Sequence, residues 1–214
     1  MKSYQYYLFD ADGTLIDTTE LIYRCFVNTC RAYGDLRIDR ETIVSHIGLP
    51  LRKQLEIYLG ALTDNVAEEI RAFHMNYQLS IYDQYLALFP GVQQGLEMLR
   101  HKGKKLAIVT SRMLETLEHY TRHLKIYDYF DAIVTPESTT LHKPAPEPAY
   151  KALELLGARS KSEALFIGDA IYDIKCGHDA GLDTAFVSWS HNDPVTFSVS
   201  PTYIVKEFSE LLSA

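Results

Sequence analysis

Apolar residues recur along this chain with two different rhythms. From about Thr18 to Tyr85 they fall at helical spacing, and no stretch alternates as a half-buried strand would. Leu21, Ile22, Cys25, Phe26, Cys30 and Tyr33 predict a helix that Gly34 stops. "HIGLPLRKQLEIYLG" reads as a loop at Gly48-Leu49-Pro50, then a short helix closed by Gly60. Residues 63 to 84 predict a longer helix, with Val66, Ile70, Phe73, Tyr77 and Ile81 on its inward face. Together these segments read as a helical bundle of their own.

After "LFPG" the rhythm changes. Helical stretches at 92 to 102, 113 to 123, 146 to 156 and 171 to 180 alternate with short apolar runs. Those runs, "KKLAIVTS", "FDAIVT", "ALFIGDA" and "DTAFVSW", read as strands, and "PTYIV" with a last helix closes the chain. Strands alternating with helices imply a parallel sheet covered on both faces. The opening run, residues 4 to 9, joins that sheet, because alone its edge would go unpaired. The expected fold class is therefore α/β: a Rossmann-like core from residues 1–17 and 86–214, with a helical domain of residues 18–85 inserted after the first strand.

At 214 residues, 47% hydrophobic and 23% charged, the composition is that of a soluble globular chain rather than a disordered one. The start "MKSYQYYLF" lacks the apolar run of a signal peptide, and no stretch is long enough to cross a bilayer, so a cytoplasmic location is expected. Cys25, Cys30 and Cys176 show no C-x-x-C spacing and read as reduced, buried thiols. A formal charge of −7 without any basic block argues against nucleic-acid and anionic-membrane partners.

Candidate chemistry changes the picture more than composition does. Ligands of open parallel sheets bind beyond the carboxyl ends of the strands. Asp10 and Asp12 stand there after the first run, and Thr110 and Ser111 after "LAIV". Asp169 and Asp173 follow "LFIG", and Lys143 lies in "HKPAPEP" after "AIVT". Clustered carboxylates suit a hard cation, and Mg²⁺ is held by one or two of them together with phosphate oxygens. One carboxylate of such a set can attack phosphorus, a second can move protons, and a lysine and a hydroxyl can hold the transferring group.

These residues resemble the four motifs of the haloacid dehalogenase-like phosphatase superfamily, and the resemblance covers essentially the whole chain. "FDADGTLID" is similar to its first motif, "IVTS" to the second, the lysine of "HKPAPEP" to the third and "GDAIYD" to the fourth. The resemblance implies Asp10 as nucleophile and Asp12 as general acid/base, with Thr110 and Lys143 on phosphate. Ser111 would add a backbone contact. It further implies that Asp10, the Asp12 carbonyl and Asp169 ligate Mg²⁺, with Asp173 acting near the metal directly or through water. Asp12 sets the chain apart from true dehalogenases, whose reaction has no alkoxide to protonate.

The helical insert resembles the small cap of the phosphoglycolate phosphatase and β-phosphoglucomutase branch, which closes over a small substrate. Ile22 stands where the mutases of that branch carry histidine, and "GLPL" at 48 to 51 is a loop form of phosphatase and pyrophosphatase members. Arg52 after that loop is a candidate for a substrate anion. Arg112 reads as a surface residue or a substrate contact, His142 as a loop residue, and Asp17 as a helix cap or turn former. His178 and Asp179 read as exposed. Ala11 replaces a bulkier apolar residue, and "SWSHNDP" replaces a Trp-Gly turn of many phosphoglycolate phosphatases. The expected activity is Mg²⁺-dependent hydrolysis of a small phosphorylated metabolite: phosphoglycolate, pyrophosphate or a small sugar phosphate. A phosphotransferase or mutase and a non-catalytic phosphate-binding protein are its rivals.

Overall fold

In the computed structural model, residues 1–34, 37–47 and 49–212 are described. Gly48, part of the "GLPL" loop, lies outside them. The chain forms two compact units, Met1–Asp17 with Ala87–Ala214, and Thr18–Leu86.

The first unit is built on six parallel strands: β1 (Tyr6–Phe9), β4 (Lys105–Val109), β5 (Ala132–Val134), β6 (Ala164–Gly168), β7 (Asp183–Val187) and β8 (Tyr203–Val205). Their order is β5-β4-β1-β6-β7-β8, so β1 lies inside the sheet between β4 and β6. Every residue of β1 and β6 is buried, as expected of strands covered on both faces. Side chains alternate across the sheet. Tyr6 and Leu8 join Ala107, Val109 and Phe166 against Ala149 and Ala152 of helix α7 (Glu147–Leu155) and Cys176 and Ala180 of α8 (Ile171–Ala180). On the opposite side Phe9 stacks on Phe208, ring centroids 5.8 Å apart. Phe208 also lies on Gly95 of α5 (Val92–His101), where an added Cβ would come 2.0 Å from the ring. Helix α6 (Leu114–His123) follows β4. The expected closing helix is instead a five-residue 3₁₀ turn, Phe208–Leu212. Glu210 Oε1 fixes its start by accepting from the N–H groups of Lys206 and Glu207.

Two strands of two residues, β2 (Ile16–Asp17) and β3 (Ala87–Leu88), pair antiparallel where the chain leaves and re-enters this unit. They are too short to show any alternation, which hid them in the sequence. Asp17 ends β2, and the N-cap of the first helix is Thr18.

The second unit is helical: α1 (Thr19–Tyr33), α2 (Arg40–Ser45), α3 (Leu51–Leu59) and α4 (Asp64–Tyr85). Gly34 and Gly60 occupy the C-cap positions of α1 and α3. Its core is Phe26, Cys30, Ile43, Leu55, Tyr58 and Ile70. The inward face of α4 differs from the one expected, because the buried positions are Ala67, Ile70, His74 and Gln78. Val66 and Phe73 are exposed. His74 fits inside because its Nδ1 lies 3.0 Å from the buried Thr29 hydroxyl and its ring packs on Phe26. Phe73 meets Tyr33 edge-on nearer the surface. All three cysteines are buried. Among the described residues no helix is long and apolar enough to cross a membrane.

Candidate active site

Strand register brings the chemistry together. Phe9 is level with Ile108 of β4 and Ile167 of β6, so the residues just beyond β1, β4 and β6 share one edge of the sheet. Asp10 continues the ladder by donating its N–H to Ile167 O, and Thr110 does so to Val134 O. The chain then turns sharply, with Leu15 and Ile16 both donating to Ala11 O. Gly13 makes that turn at φ +80°, and a Cβ there would lie 2.3 Å from Asp169 Oδ2. Only glycine meets both the backbone and the clearance requirement.

Asp10, Asp169 and Asp173 are all buried, each offering a carboxylate oxygen within 4.8 Å of the others. Lys143 enters this cluster. Its Nζ donates to Asp10 Oδ1 and Asp173 Oδ1, each at 2.6 Å, and to Val109 O at 3.1 Å, using all three ammonium protons. The second oxygen of Asp173 accepts from Ala170 N–H at the start of α8. Asp169 accepts from Thr14 Oγ1 at 3.4 Å and Asn192 Nδ2 at 3.2 Å.

Three buried acids against one ammonium leave negative charge uncompensated. Burial pushes Asp10 up to about 7, with Asp173 and Asp12 adding to the rise and Lys143 opposing it. Burial also holds Asp169 well above the usual carboxylate range, helped by Asp173 and Asp10. Burial alone would lower Lys143, yet the two carboxylates beside it raise it above the ordinary lysine value. A cation would relieve this repulsion. The cluster offers only oxygen donors, with neither His nor Cys among them, which fits Mg²⁺.

Asp12 lies apart from that cluster. Both its oxygens are taken by Arg112, Nε to Oδ2 at 2.8 Å and Nη2 to Oδ1 at 2.9 Å. The Arg112 side chain is only 11% exposed and lies 4.3 Å over the buried Tyr120 ring. This overturns the surface reading of Arg112. Its own N–H donates to Thr110 Oγ1.

The remaining candidates are placed as follows. Thr110 is buried at the edge and Ser111 is exposed beside it. Arg52 belongs to the helical unit, where it donates to Glu56 at 2.6 Å, Asp64 at 3.2 Å and Leu62 O at 2.9 Å. The structure therefore directs its guanidinium to neighbours in its own unit. His142 is exposed, and Ala11 is fully buried. His178 and Asp179 pair on the exposed side of α8. Thr14, Asn192 and Trp189, which donates its indole N–H to Thr14 O, were not singled out from the sequence. The one signal for Asn192 and Trp189 was the departure at "SWSHNDP".

Known proteins share the sequence pattern and the fold of this chain. A family model described as "Haloacid dehalogenase-like hydrolase" matches residues 7–187. A Clostridium perfringens protein named "Putative pyrophosphatase PpaX" is 39% identical over 183 residues, covering 86% of this chain and 83% of that protein. "Pyrophosphatase PpaX" of Bacillus cereus is 34% identical over 206 residues, covering 96% and 93%. Among solved structures, one titled "Putative haloacid dehalogenase-like hydrolase" from Bacteroides fragilis superposes with a TM-score of 0.88. It is 28% identical and covers 98% of this chain and 100% of that one.

Proposed function

This chain belongs to the haloacid dehalogenase-like hydrolase family and is a phosphatase-type hydrolase, and on that footing we propose that it hydrolyses a small phosphorylated metabolite through an aspartyl-phosphate on Asp10. The observation that carries this reading is the buried cluster of Asp10, Asp169 and Asp173 bridged by Lys143 at the carboxyl edge of the sheet.

Asp10 is the nucleophile. One of its carboxylate oxygens bonds to phosphorus as the bond from phosphorus to the leaving oxygen breaks. The leaving oxygen keeps that electron pair and takes a proton from Asp12. Water then attacks phosphorus, gives a proton to Asp12 and frees phosphate, returning Asp10 to its starting form. Lys143 orients Asp10 through the 2.6 Å contact and offsets charge on the transferring group together with Thr110. Ser111 adds a backbone donor beside Thr110. Asp10, the Asp12 carbonyl and Asp169 would hold Mg²⁺, which supplies positive charge to the phosphoryl oxygens. Asp173, with both oxygens engaged by Lys143 and Ala170, supports the metal site indirectly.

The names of the curated relatives favour pyrophosphate over phosphoglycolate and sugar phosphates as the substrate. Ile22, in place of the histidine of the mutases, speaks against phosphotransfer to a sugar. The partner is a small phosphorylated molecule, with neither nucleic acid nor membrane involved, and the enzyme works in the cytoplasm. Phosphate release from pyrophosphate, phosphoglycolate and hexose phosphates, with and without Mg²⁺, tests the proposal. Metal-dependent turnover that disappears in Asp10→Asn is expected. Equal rates in mutant and wild type would remove Asp10 from the chemistry.

A further inference from the structure

We infer that Asn192 is a positioning residue for the metal: its side-chain amide holds the Asp169 carboxylate in the orientation that takes Mg²⁺. The inference rests on the Mg²⁺ site of the reading above and adds a residue from outside its four motifs.

The acids of the buried cluster are partnered in two different ways. Asp10 and Asp173 share the charge of Lys143, each at 2.6 Å. The side chains that donate to Asp169, Thr14 Oγ1 at 3.4 Å and Asn192 Nδ2 at 3.2 Å, are neutral. That difference suits a carboxylate kept for a metal. A lysine or arginine on Asp169 would compete with the cation, and another carboxylate would add repulsion. A neutral amide fixes the direction of the group and leaves its charge for Mg²⁺. The direction needs fixing, because Asp10 and Asp173 offer carboxylate oxygens within 4.8 Å. Asp169 also lies on the Gly13 turn, where an added Cβ would sit 2.3 Å from Oδ2. Asn192 donates to that same Oδ2. An ionised carboxylate only accepts, so the amide presents its NH₂ there and not its oxygen.

The loop that carries Asn192 is anchored on both sides. Before it, Ser188 N–H extends the sheet ladder to Val205 O, and the Trp189 indole donates to Thr14 O at 3.1 Å. Thr14 follows Gly13, so the loop is tied to the turn on which Asp169 rests. After it, Asp193 Oδ1 accepts from Val195 N–H at the start of a 3₁₀ turn, Pro194–Thr196. Phe197 then meets Phe186 of β7 edge-on, ring centroids 5.5 Å apart. Between these anchors Asn192 donates its own N–H to Ser190 Oγ at 3.3 Å. The amide is thus carried to Asp169 by a built segment.

Titration calorimetry of Mg²⁺ into the metal-free enzyme tests this in wild type, Asn192→Ala and Asn192→Leu. Leucine is close to asparagine in shape but has no donor. Both variants are expected to raise the Mg²⁺ Kd at least tenfold, while the urea midpoint of the metal-free protein moves little. Pyrophosphate turnover lost at low Mg²⁺ is expected to return as Mg²⁺ is raised. A wild-type Kd in Asn192→Leu, or a raised Kd matched by lost metal-free stability, would overturn the inference and leave a packing role. An unchanged Mg²⁺ Kd with a raised KM for pyrophosphate would overturn it in favour of a direct substrate contact. Wild-type enzyme that takes up no Mg²⁺ would instead defeat the metal reading, and this inference with it.

Discussion

Lys143 places its three N–H donors on Asp10, Asp173 and the Val109 carbonyl, so its loss would leave two buried carboxylates facing each other without a cation. Removing one partner of a buried ion pair costs about 3–5 kcal/mol. Lys143→Met is expected to lower stability by about that amount in urea denaturation and to reduce kcat by roughly 100-fold or more. Unchanged stability and rate would contradict the bridging role. Gly13→Ala adds a Cβ 2.3 Å from Asp169 Oδ2 at φ +80°. It is expected to destabilise by about 1–3 kcal/mol, read as a lower Tm, and to lose activity as Asp169 is pushed aside. At this scale the sequence was most informative where a residue directly follows a strand. Asp10, Thr110 and Asp169 each stand one residue past a strand end, so position in the chain becomes position in space. Asn192 reaches Asp169 from an irregular loop 23 residues further on, and Arg112 reaches Asp12 across 100 residues. Neither approach leaves a periodic trace.

Elements were legible wherever burial was apolar and periodic. β1 and β6 read as continuous apolar runs and are buried throughout. The face of α4 was misread because polar His74 and Gln78 are inside while apolar Val66 and Phe73 are outside, and hydrophobicity alone favours the opposite choice. Asp131 shows how elements are joined by charge. It accepts from Leu106 N–H at 3.0 Å and pairs with Lys105 at 2.9 Å and with Arg100, connecting β4, α5 and the start of β5. Burial opposes ionisation of Asp131, but the Leu106 N–H and the two cations outweigh it and hold the carboxyl below its ordinary value. Its stabilisation is therefore present above the unfolded value of about 3.9 and is lost as pH falls through the lower folded one. Asp131→Asn is expected to cost about 1–3 kcal/mol at pH 7. Denaturation of mutant and wild type should converge in strong acid, and a constant gap at every pH would contradict this. Gly95→Ala drives a Cβ to 2.0 Å from the Phe208 ring and is expected to destabilise by about 1–3 kcal/mol, again read in urea.

Over the whole molecule, a charge of −7 coexists with a site that is proposed to take an anionic substrate. The arrangement works only if local cations prevail, and the structure brings Lys143 and Arg112 to the carboxyl edge of the sheet. A bound divalent cation would add to them. Mg²⁺ at 100 times its Kd is expected to raise stability by about 2.7 kcal/mol, and Asp169→Asn to remove most of that rise. The α/β architecture was readable from the alternation of strands and helices. The β2–β3 pair was not, since two residues carry no pattern. The central claim is that Asp10 carries the phosphoryl group, and acid quenching during turnover tests it most directly. Peptide mass analysis of the quenched wild-type enzyme is predicted to find one phosphoryl group on the peptide containing Asp10, and none in Asp10→Asn. Wild-type enzyme that turns over with no phosphoryl group on that peptide, or with one on a different residue, would contradict the account.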